Sequence, residues 1–132
     1  MKSKAQQTYI GSIMTRNVET VPSETNLVEA CKKLDRNGIN SLVVTDEQNR
    51  IKGILTSSDI VSVVSNGVTF ENSVVDDAMT SDAITLQTTD LVSHAVEELL
   101  ENNIHHIPVT DTDNTVTGII STSDVSAYMQ VY

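Results

Sequence analysis

Two stretches of this sequence place a hydroxyl side chain three positions before a carboxylate. The first is GILTSSD, which contains Thr56 and Asp59, and the second is GIISTSD, which contains Ser121 and Asp124. A hydroxyl at a helix start can cap free backbone N–H groups, and an acid in the first turn complements the helix dipole. The carboxylate can also accept hydrogen bonds from both hydroxyls of a cis-diol, beside a helix N-terminus that favours an anion. The residues alone leave both interpretations open, and the two are compatible.

A pair of adjacent histidines forms the second candidate group. His105 and His106 lie at the start of an apolar run that we interpret as a strand. Successive side chains of a strand point to opposite faces, so one histidine is expected to face the core and the other the solvent. That alternation disfavours a shared metal ion, and since His94 belongs to the preceding predicted helix, we predict no metal site. A partly protonated imidazole could instead contact an anion in a pH-dependent way.

The sequence shows none of the spacings typical of a catalytic site. Paired carboxylates, a Ser-His-Asp set, a zinc cluster and a phosphate-binding glycine loop are all missing, and the two glycine stretches are not a dinucleotide fingerprint. Cys31 lies on the apolar face of a predicted helix, where a buried structural thiol is the favoured interpretation. We therefore predict no catalytic residue.

The candidate residues belong to an internal repeat with an offset of 65 residues (118 − 53) between Gly53 and Gly118. Most of the chain keeps this offset without a gap, and Met14-Thr15 recurs as Met79-Thr80. A repeat of fixed period dictates the architecture. Two copies are too few for an open solenoid, so they are expected to close one shared core.

Each copy predicts the element order β-α-β-β-α. In the first copy, Asn26 is a predicted N-cap with Glu29 at capping-box spacing, and Gly38 ends the helix. In the second copy, Asp90 is the predicted cap. The predicted strands cover residues 18–21, 39–45, 51–55, 83–86, 107–110 and 116–120. The predicted final helix of each copy starts at Thr56 and at about Thr122.

These elements predict an α+β fold built from two pseudo-symmetric β-α-β-β-α motifs. The motifs span residues 10–66 and 75–130, and residues 67–74 form the linker. A motif of about 55 residues is marginally stable alone. The two motifs are therefore expected to pack through their sheets into one module.

Charge and composition exclude several classes of partner. The chain of 132 residues has 18 acidic and 8 basic residues, a formal net charge of −10. Such an acidic protein repels nucleic-acid phosphates and anionic membrane surfaces. No apolar run approaches the roughly 20 residues of a membrane span, and residues 1–7 lack the apolar core of a secretion signal. The single cysteine fits a reducing compartment, so we predict a cytoplasmic protein.

Over residues 10–130, the sequence resembles a tandem pair of cystathionine-β-synthase (CBS) domains, the Bateman module. The motifs that carry the resemblance are the two Met-Thr pairs, Thr20-Val21-Pro22, the Ile-x-x-Ile-Pro-Val-x-Asp run at 104–111 and the two glycine stretches. Together, in order and in phase, they are a strong signal. The two copies differ at two of these positions: the first copy has Val43 where the second has Pro108, and the second has Gln87 where the first has Pro22.

The resemblance implies two ligand clefts, each drawing residues from both copies. It implies that the aspartates bind ribose hydroxyls and that the histidines occupy the place of a phosphate-contacting His-Arg pair in the γ subunit of AMP-activated kinase. One predicted cleft combines Thr56, Asp59, Thr85, Leu86, His105, His106 and Pro108. The other combines Thr20, Val21, Asn40, Ser41, Ser121 and Asp124. Asn40 and Ser41 cannot neutralise charge, so the cleft with the histidines is predicted to be the better anion site.

The resemblance implies a regulatory module that senses an adenosine-type ligand: AMP, ADP, ATP or S-adenosylmethionine. It requires no cofactor and is expected to form a homodimer that acts on a regulated protein partner. The alternative is a structural or interaction dimer whose clefts are vestigial. An enzyme is the least favoured class, because no nucleophile–base pair is present.

Overall fold

The computed structural model describes residues 1–130. The longer elements in chain order are β1 Thr20–Pro22, α1 Leu27–Asn37, β2 Ser41–Thr45, β3 Ile51–Thr56, α2 Ser57–Ser65, α3 Val92–Glu101, β4 His106–Thr110, β5 Val116–Ser121 and α4 Thr122–Gln130. Short 3-10 helices cover Lys4–Gln6, Ile10–Ser12, Phe70–Asn72 and Val75–Asp77. None of the helices in the described part of the chain is long and apolar enough to cross a membrane.

The chain divides into two compact units whose boundaries differ from those of the sequence repeat. The first unit is Glu19–Ala83, and the second combines Met1–Val18 with residues 84–130. The segment that precedes β1 in the chain thus belongs to the unit that contains β4 and β5. The segment that precedes α3 likewise belongs in part to the unit that contains β1 to β3. The predicted motif boundaries describe the repeat and not these units.

The first unit is a three-stranded sheet covered by helices. β1 runs parallel to β2, and β2 runs antiparallel to β3 with an irregularity between Val44 and Thr45. The core consists of Val21, Leu27, Ala30, Leu34, Leu42, Val44, Leu55 and Val75. Leu27, Ala30 and Leu34 lie at positions i, i+3 and i+7 of α1 and form one apolar face, which explains why this amphipathic segment folds as a helix against the sheet.

The caps of α1 agree with the sequence prediction except at Glu29. The Asn26 side chain accepts a hydrogen bond from the Val28 N–H at 2.9 Å, and Gly38 ends the helix with a left-handed φ of 60°. The predicted capping box does not form, because the Asn26 oxygen bonds the second helical N–H and Glu29 lies 3.6 Å from the Lys32 ammonium. The cap is therefore a single hydrogen bond.

The second unit has a two-stranded antiparallel sheet, β4 with β5. The predicted strand at 83–86 is wrong: only Leu86 pairs with β4, through a single parallel bridge to Val109. In the first unit, the Val43 N–H donates to the Glu19 carbonyl and lengthens the ladder. Its counterpart is Pro108, which has no N–H to donate, so the ladder is shorter here.

The start of α3 also differs from the prediction. The Asp90 carboxylate accepts the Gln87 N–H at 2.7 Å and closes the preceding turn. Leu91 is the N-cap position of α3, and no side chain in the described residues caps the helix there. Burial of Val92, Ala95 and Leu99 stabilises this helix instead.

Each unit contains a leading segment, residues 9–15 in the second unit and 74–80 in the first. Each leading segment has a short 3-10 turn and a Met-Thr pair, and its threonine forms an antiparallel bridge: Thr15 with Ile119, and Thr80 with Ile54. A Cβ atom on Gly118 would lie 2.7 Å from the Met14 sulfur, and one on Gly53 equally close to the Met79 sulfur. Glycine at these strand positions is what lets the leading segments approach the sheet.

Candidate functional site

The two hydroxyl–carboxylate stretches fold into matching capping boxes. In the first unit, the Asp59 Oδ2 accepts the Thr56 N–H at 2.9 Å and the Thr56 hydroxyl at 3.0 Å. In the second unit, the Asp124 Oδ2 accepts the Ser121 N–H at 3.0 Å and the Ser121 hydroxyl at 3.1 Å. Each hydroxyl oxygen in turn accepts the N–H of the aspartate. The helix-cap interpretation is thus confirmed in both copies.

A second hydrogen bond distinguishes Asp124 from Asp59. The Thr15 hydroxyl donates to the Asp124 Oδ1 at 3.0 Å. Thr80, the counterpart of Thr15, is exposed and makes no side-chain hydrogen bond within residues 1–130. The two aspartates are therefore held differently, although their sequence motifs match.

The residue immediately before β2 and the residue immediately before β4 make the same backbone contact with the start of the following helix. The carbonyl of Asn40 accepts the Ser57 N–H at 3.0 Å, and the carbonyl of His105 accepts the Thr122 N–H at 3.0 Å. These bonds place residues 40–41 and 105–106 beside the N-termini of α2 and α4. Each unit thereby brings polar side chains close to its capping aspartate.

The two histidines differ in exposure, as their alternation predicts. His105 is exposed, whereas His106 is half-buried and lies opposite Ser121 across the β4–β5 pair. Burial and the neighbouring His105 lower the pKa of His106, while the Asp124 charge acts in the opposite direction. His106 is therefore largely neutral at pH 7, and an anion bound beside it would raise its pKa.

The predicted site residues are distributed between the two units. The first unit contains Thr20, Val21, Asn40, Ser41, Thr56 and Asp59. The second unit contains Thr85, Leu86, His105, His106, Pro108, Ser121 and Asp124. Both predicted clefts combine residues of the two units, so the assignment of residues to clefts stays a prediction. Within the second unit, Asp124 is the aspartate that acts on His106.

Two side chains near the candidate site, those of Lys33 and Thr15, are not among the site residues predicted from the sequence. The Lys33 ammonium donates to the Thr20 carbonyl at 2.5 Å and lies 3.4 Å from the Glu19 carboxylate. Thr15 bonds Asp124 across 109 positions of the chain. The repeated Met-Thr pair was the available signal for Thr15, but no local pattern indicates which hydroxyl reaches a carboxylate so far away. Lys33 had no signal beyond its place on a helix.

An open cleft of about 520 Å³ lies between α1 and α2 in the first unit. It is lined by apolar residues, among them Leu34, Ile39 and Ile60, and by the Cys31 side chain. Cys31 is only partly buried, in contrast to the buried thiol that the sequence predicts, and this partial burial raises the pKa of the thiol, which is therefore protonated at neutral pH. Within the described residues, no group of three or more His, Cys, Asp or Glu side chains could hold a metal ion.

Comparison with protein families identifies the repeat. A family model described as the CBS domain matches residues 10–66 and 75–131, which is most of the chain. This chain belongs to the CBS domain family. It contains a tandem CBS pair, and the resemblance inferred from the sequence is confirmed.

Relatives of this CBS pair differ widely in length. An uncharacterised 17.7 kDa protein of Acidianus ambivalens is 33% identical over 119 residues, which are 90% of this chain and 71% of that protein. L-aspartate semialdehyde sulfurtransferase of Methanocaldococcus jannaschii is 29% identical over 93% of this chain, but the match spans 23% of that enzyme. In the sulfurtransferase, the region similar to this chain is therefore only one part of a larger protein.

Solved CBS pairs share the fold of this chain. The CBS domain pair of protein MJ0100, in complex with 5'-methylthioadenosine and S-adenosyl-L-methionine, matches with a TM-score of 0.86 at 28% identity and covers 94% of this chain and 97% of that one. An uncharacterised conserved protein from Pyrococcus horikoshii matches with a TM-score of 0.86 at 25% identity and covers 98% and 96% of the two chains. The predicted α+β fold class is confirmed.

Proposed function

We propose that this CBS pair is a regulatory module that binds an adenosine-type small molecule: AMP, ADP, ATP or S-adenosylmethionine. The two predicted clefts are its binding sites, and Asp59 and Asp124 accept hydrogen bonds from the ribose hydroxyls. Ligand occupancy changes the affinity of the module for a second copy or for a regulated protein. Such a switch requires only that the ligand bind the two states with different affinity.

One observation carries this proposal: both copies present a carboxylate at the first turn of a helix, ordered by a capping box. An ordered carboxylate binds a diol well because the conformational cost has already been met by the cap. The adenosine-type ligands of the related MJ0100 pair, which is 28% identical to this chain, support the same chemical class.

Two features of the second unit support an anionic group on the ligand. The N-terminus of α4 carries the positive end of a helix dipole, and His106 lies beside it on the neighbouring strand. His106 can gain a proton when an anion arrives. Residues 84–130 contain no arginine or lysine, and the basic side chains of this unit are Lys2, Lys4 and Arg16 in residues 1–18.

Calorimetry with AMP tests the assignment of Asp59. We expect Asp59→Ala to weaken AMP binding about tenfold or more, because a hydrogen bond to a charged group contributes about 1.5–3 kcal/mol. Ser58→Ala is the matched control, since Ser58 is an exposed neighbour in the same helical turn. Undiminished binding by Asp59→Ala, with its fold intact by circular dichroism, would contradict the assignment.

A thermal-shift panel tests the ligand class. A ligand that binds only the folded state raises the melting temperature. We expect a rise with AMP and S-adenosylmethionine and none with pyrimidine nucleotides. No response to any nucleotide would favour the second candidate function, a structural or interaction dimer with vestigial clefts.

Exposed apolar side chains on the helices favour self-association in either case. Val61 on α2 is 65% exposed, Leu100 on α3 is 76% exposed and Met129 on α4 is 57% exposed. On α2, Val64 is 48% exposed and lies three positions after Val61, so the two side chains share one face, and clustered apolar side chains of this kind mark interaction surfaces. We therefore propose a homodimer, and sedimentation equilibrium of the wild type and of Val61→Asp tests it. A monomeric wild type would exclude the homodimer. We also propose that the protein is cytoplasmic and has no catalytic activity of its own.

A further inference from the structure

The acceptor capacity of the two capping aspartates is unequal. A carboxylate has two oxygens with about four lone-pair positions in total. In each aspartate, the cap fills Oδ2 with one N–H and one hydroxyl. The difference lies at Oδ1, which accepts the Thr15 hydroxyl in Asp124 and no donor from residues 1–130 in Asp59.

The backbone does not cause this difference. Thr15 exchanges two hydrogen bonds with Ile119, both of 2.9 Å. Thr80 exchanges the same two bonds with Ile54, at 2.9 and 3.1 Å. The leading segments are thus anchored alike through their backbones, and the difference lies in the side chains: the Thr15 hydroxyl bonds an aspartate and, within residues 1–130, the Thr80 hydroxyl does not.

A cis-diol donates two hydroxyl hydrogens to one carboxylate. Asp59 has both positions of Oδ1 open for them, whereas Asp124 has one position left beside the Thr15 hydroxyl. The second ribose hydroxyl can reach Asp124 only if the Thr15 hydrogen bond is broken. Breaking a hydrogen bond to a charged group opposes most of the gain from forming the new one.

We infer that Thr15 is a specificity-determining residue that makes the two ribose sites unequal. The Asp59 site accepts both ribose hydroxyls and discriminates strongly against a 2'-deoxy ligand. The Asp124 site accepts one hydroxyl and discriminates weakly. This inference rests on the proposed function, because it assumes that both aspartates bind ribose.

The test compares adenosine with 2'-deoxyadenosine by calorimetry in single-site backgrounds. Asp124→Asn leaves the Asp59 site intact, and we expect it to prefer adenosine by about tenfold, the effect of one hydrogen bond to a charged group. Asp59→Asn leaves the Asp124 site, and we expect a preference of less than about threefold.

The decisive variant adds Thr15→Val to the Asp59→Asn background. Valine keeps the shape of threonine but cannot donate, so the open Oδ1 should raise the preference for adenosine to about tenfold. Thr80→Val in the Asp124→Asn background is the matched control and should change nothing. Without ligand, we expect a lower melting temperature for Thr15→Val than for Thr80→Val, because of the two threonines only Thr15 donates a hydrogen bond to an aspartate of the described residues.

Two results overturn the inference, and they can be told apart. If adenosine binds but Thr15→Val leaves the preference at the Asp124 site unchanged, the role of Thr15 is refuted and the proposed function stands. If neither the wild type nor any variant binds adenosine, the proposed function fails and this inference fails with it.

Discussion

The capping boxes of the two units contain the same three hydrogen bonds, yet their surroundings differ. Asp59 keeps one oxygen open among the described residues, whereas Asp124 is bonded by Thr15 and lies close enough to His106 to affect its pKa. A repeated motif therefore specifies the local turn but not the site. The site depends on side chains that the rest of each unit brings to that turn.

The two leading segments also differ in their side-chain hydrogen bonds. In the first unit, Asp76 of the leading segment accepts the Glu24 N–H and the Ser23 hydroxyl, both at 2.6 Å. Burial raises the pKa of Asp76, but these hydrogen bonds outweigh it and hold the pKa below its ordinary value. The matching position in the second unit is Gly11, which can make no such bond. The two leading segments are thus held by different side-chain contacts, although their sequences repeat.

The largest expected effect tests whether the two cores are equivalent. Leu55 and Ile120 occupy matching positions, and both side chains are fully buried. Replacing either by alanine should lower the free energy of unfolding by about 2–5 kcal/mol, through lost burial and a new cavity. Urea denaturation measures both variants. A cost below about 1 kcal/mol in one unit only would show that its core relaxes more freely than the other.

A smaller effect is expected where the leading segments cross the sheets. A Cβ on Gly53 would lie 2.7 Å from the Thr80 carbonyl oxygen, and one on Gly118 would lie 2.9 Å from the Thr15 carbonyl oxygen. Since backbone atoms must move, Gly53→Ala and Gly118→Ala should each cost about 1–3 kcal/mol in urea denaturation. Ser58→Ala and Ser123→Ala, at exposed helix positions, serve as controls. An unchanged stability of either glycine variant would contradict the close approach in that unit.

The smallest effect is a pH dependence confined to the second unit. The pKa of His106 is lowered from its ordinary value of 6.5, so below that pH the unfolded chain binds a proton that the folded chain does not. Stability should therefore fall as the pH decreases from 7.5 towards 5, and His106→Gln should reduce this slope. Denaturation at several pH values measures it, with the exposed His94→Gln as control. An unaltered slope in His106→Gln would refute the contribution of His106.

Much of the fold could be predicted because its signals are local. The apolar positions of α1, the glycine at its end and the hydroxyl–carboxylate starts of α2 and α4 depend on residues within four positions of one another. Of the two wrong predictions at 83–86 and at Asp90, one has a long-range cause and the other a local one. The segment predicted as a strand at 83–86 forms only a single bridge to β4, because Pro108 of β4 has no N–H to donate. Asp90 accepts the Gln87 N–H three positions before it instead of capping α3.

The sequence by itself determined the repeat, the family, the fold class and the two capping aspartates. These properties follow from spacing and from side-chain chemistry, which are already present in the unfolded chain. Only the tertiary structure decided that Thr15 reaches Asp124 while Thr80 leaves Asp59 alone, and that burial lowers the pKa of His106. Hydrogen bonds between distant residues and burial depend on how the chain packs, so the repeated glycine stretch became two different sites only after folding.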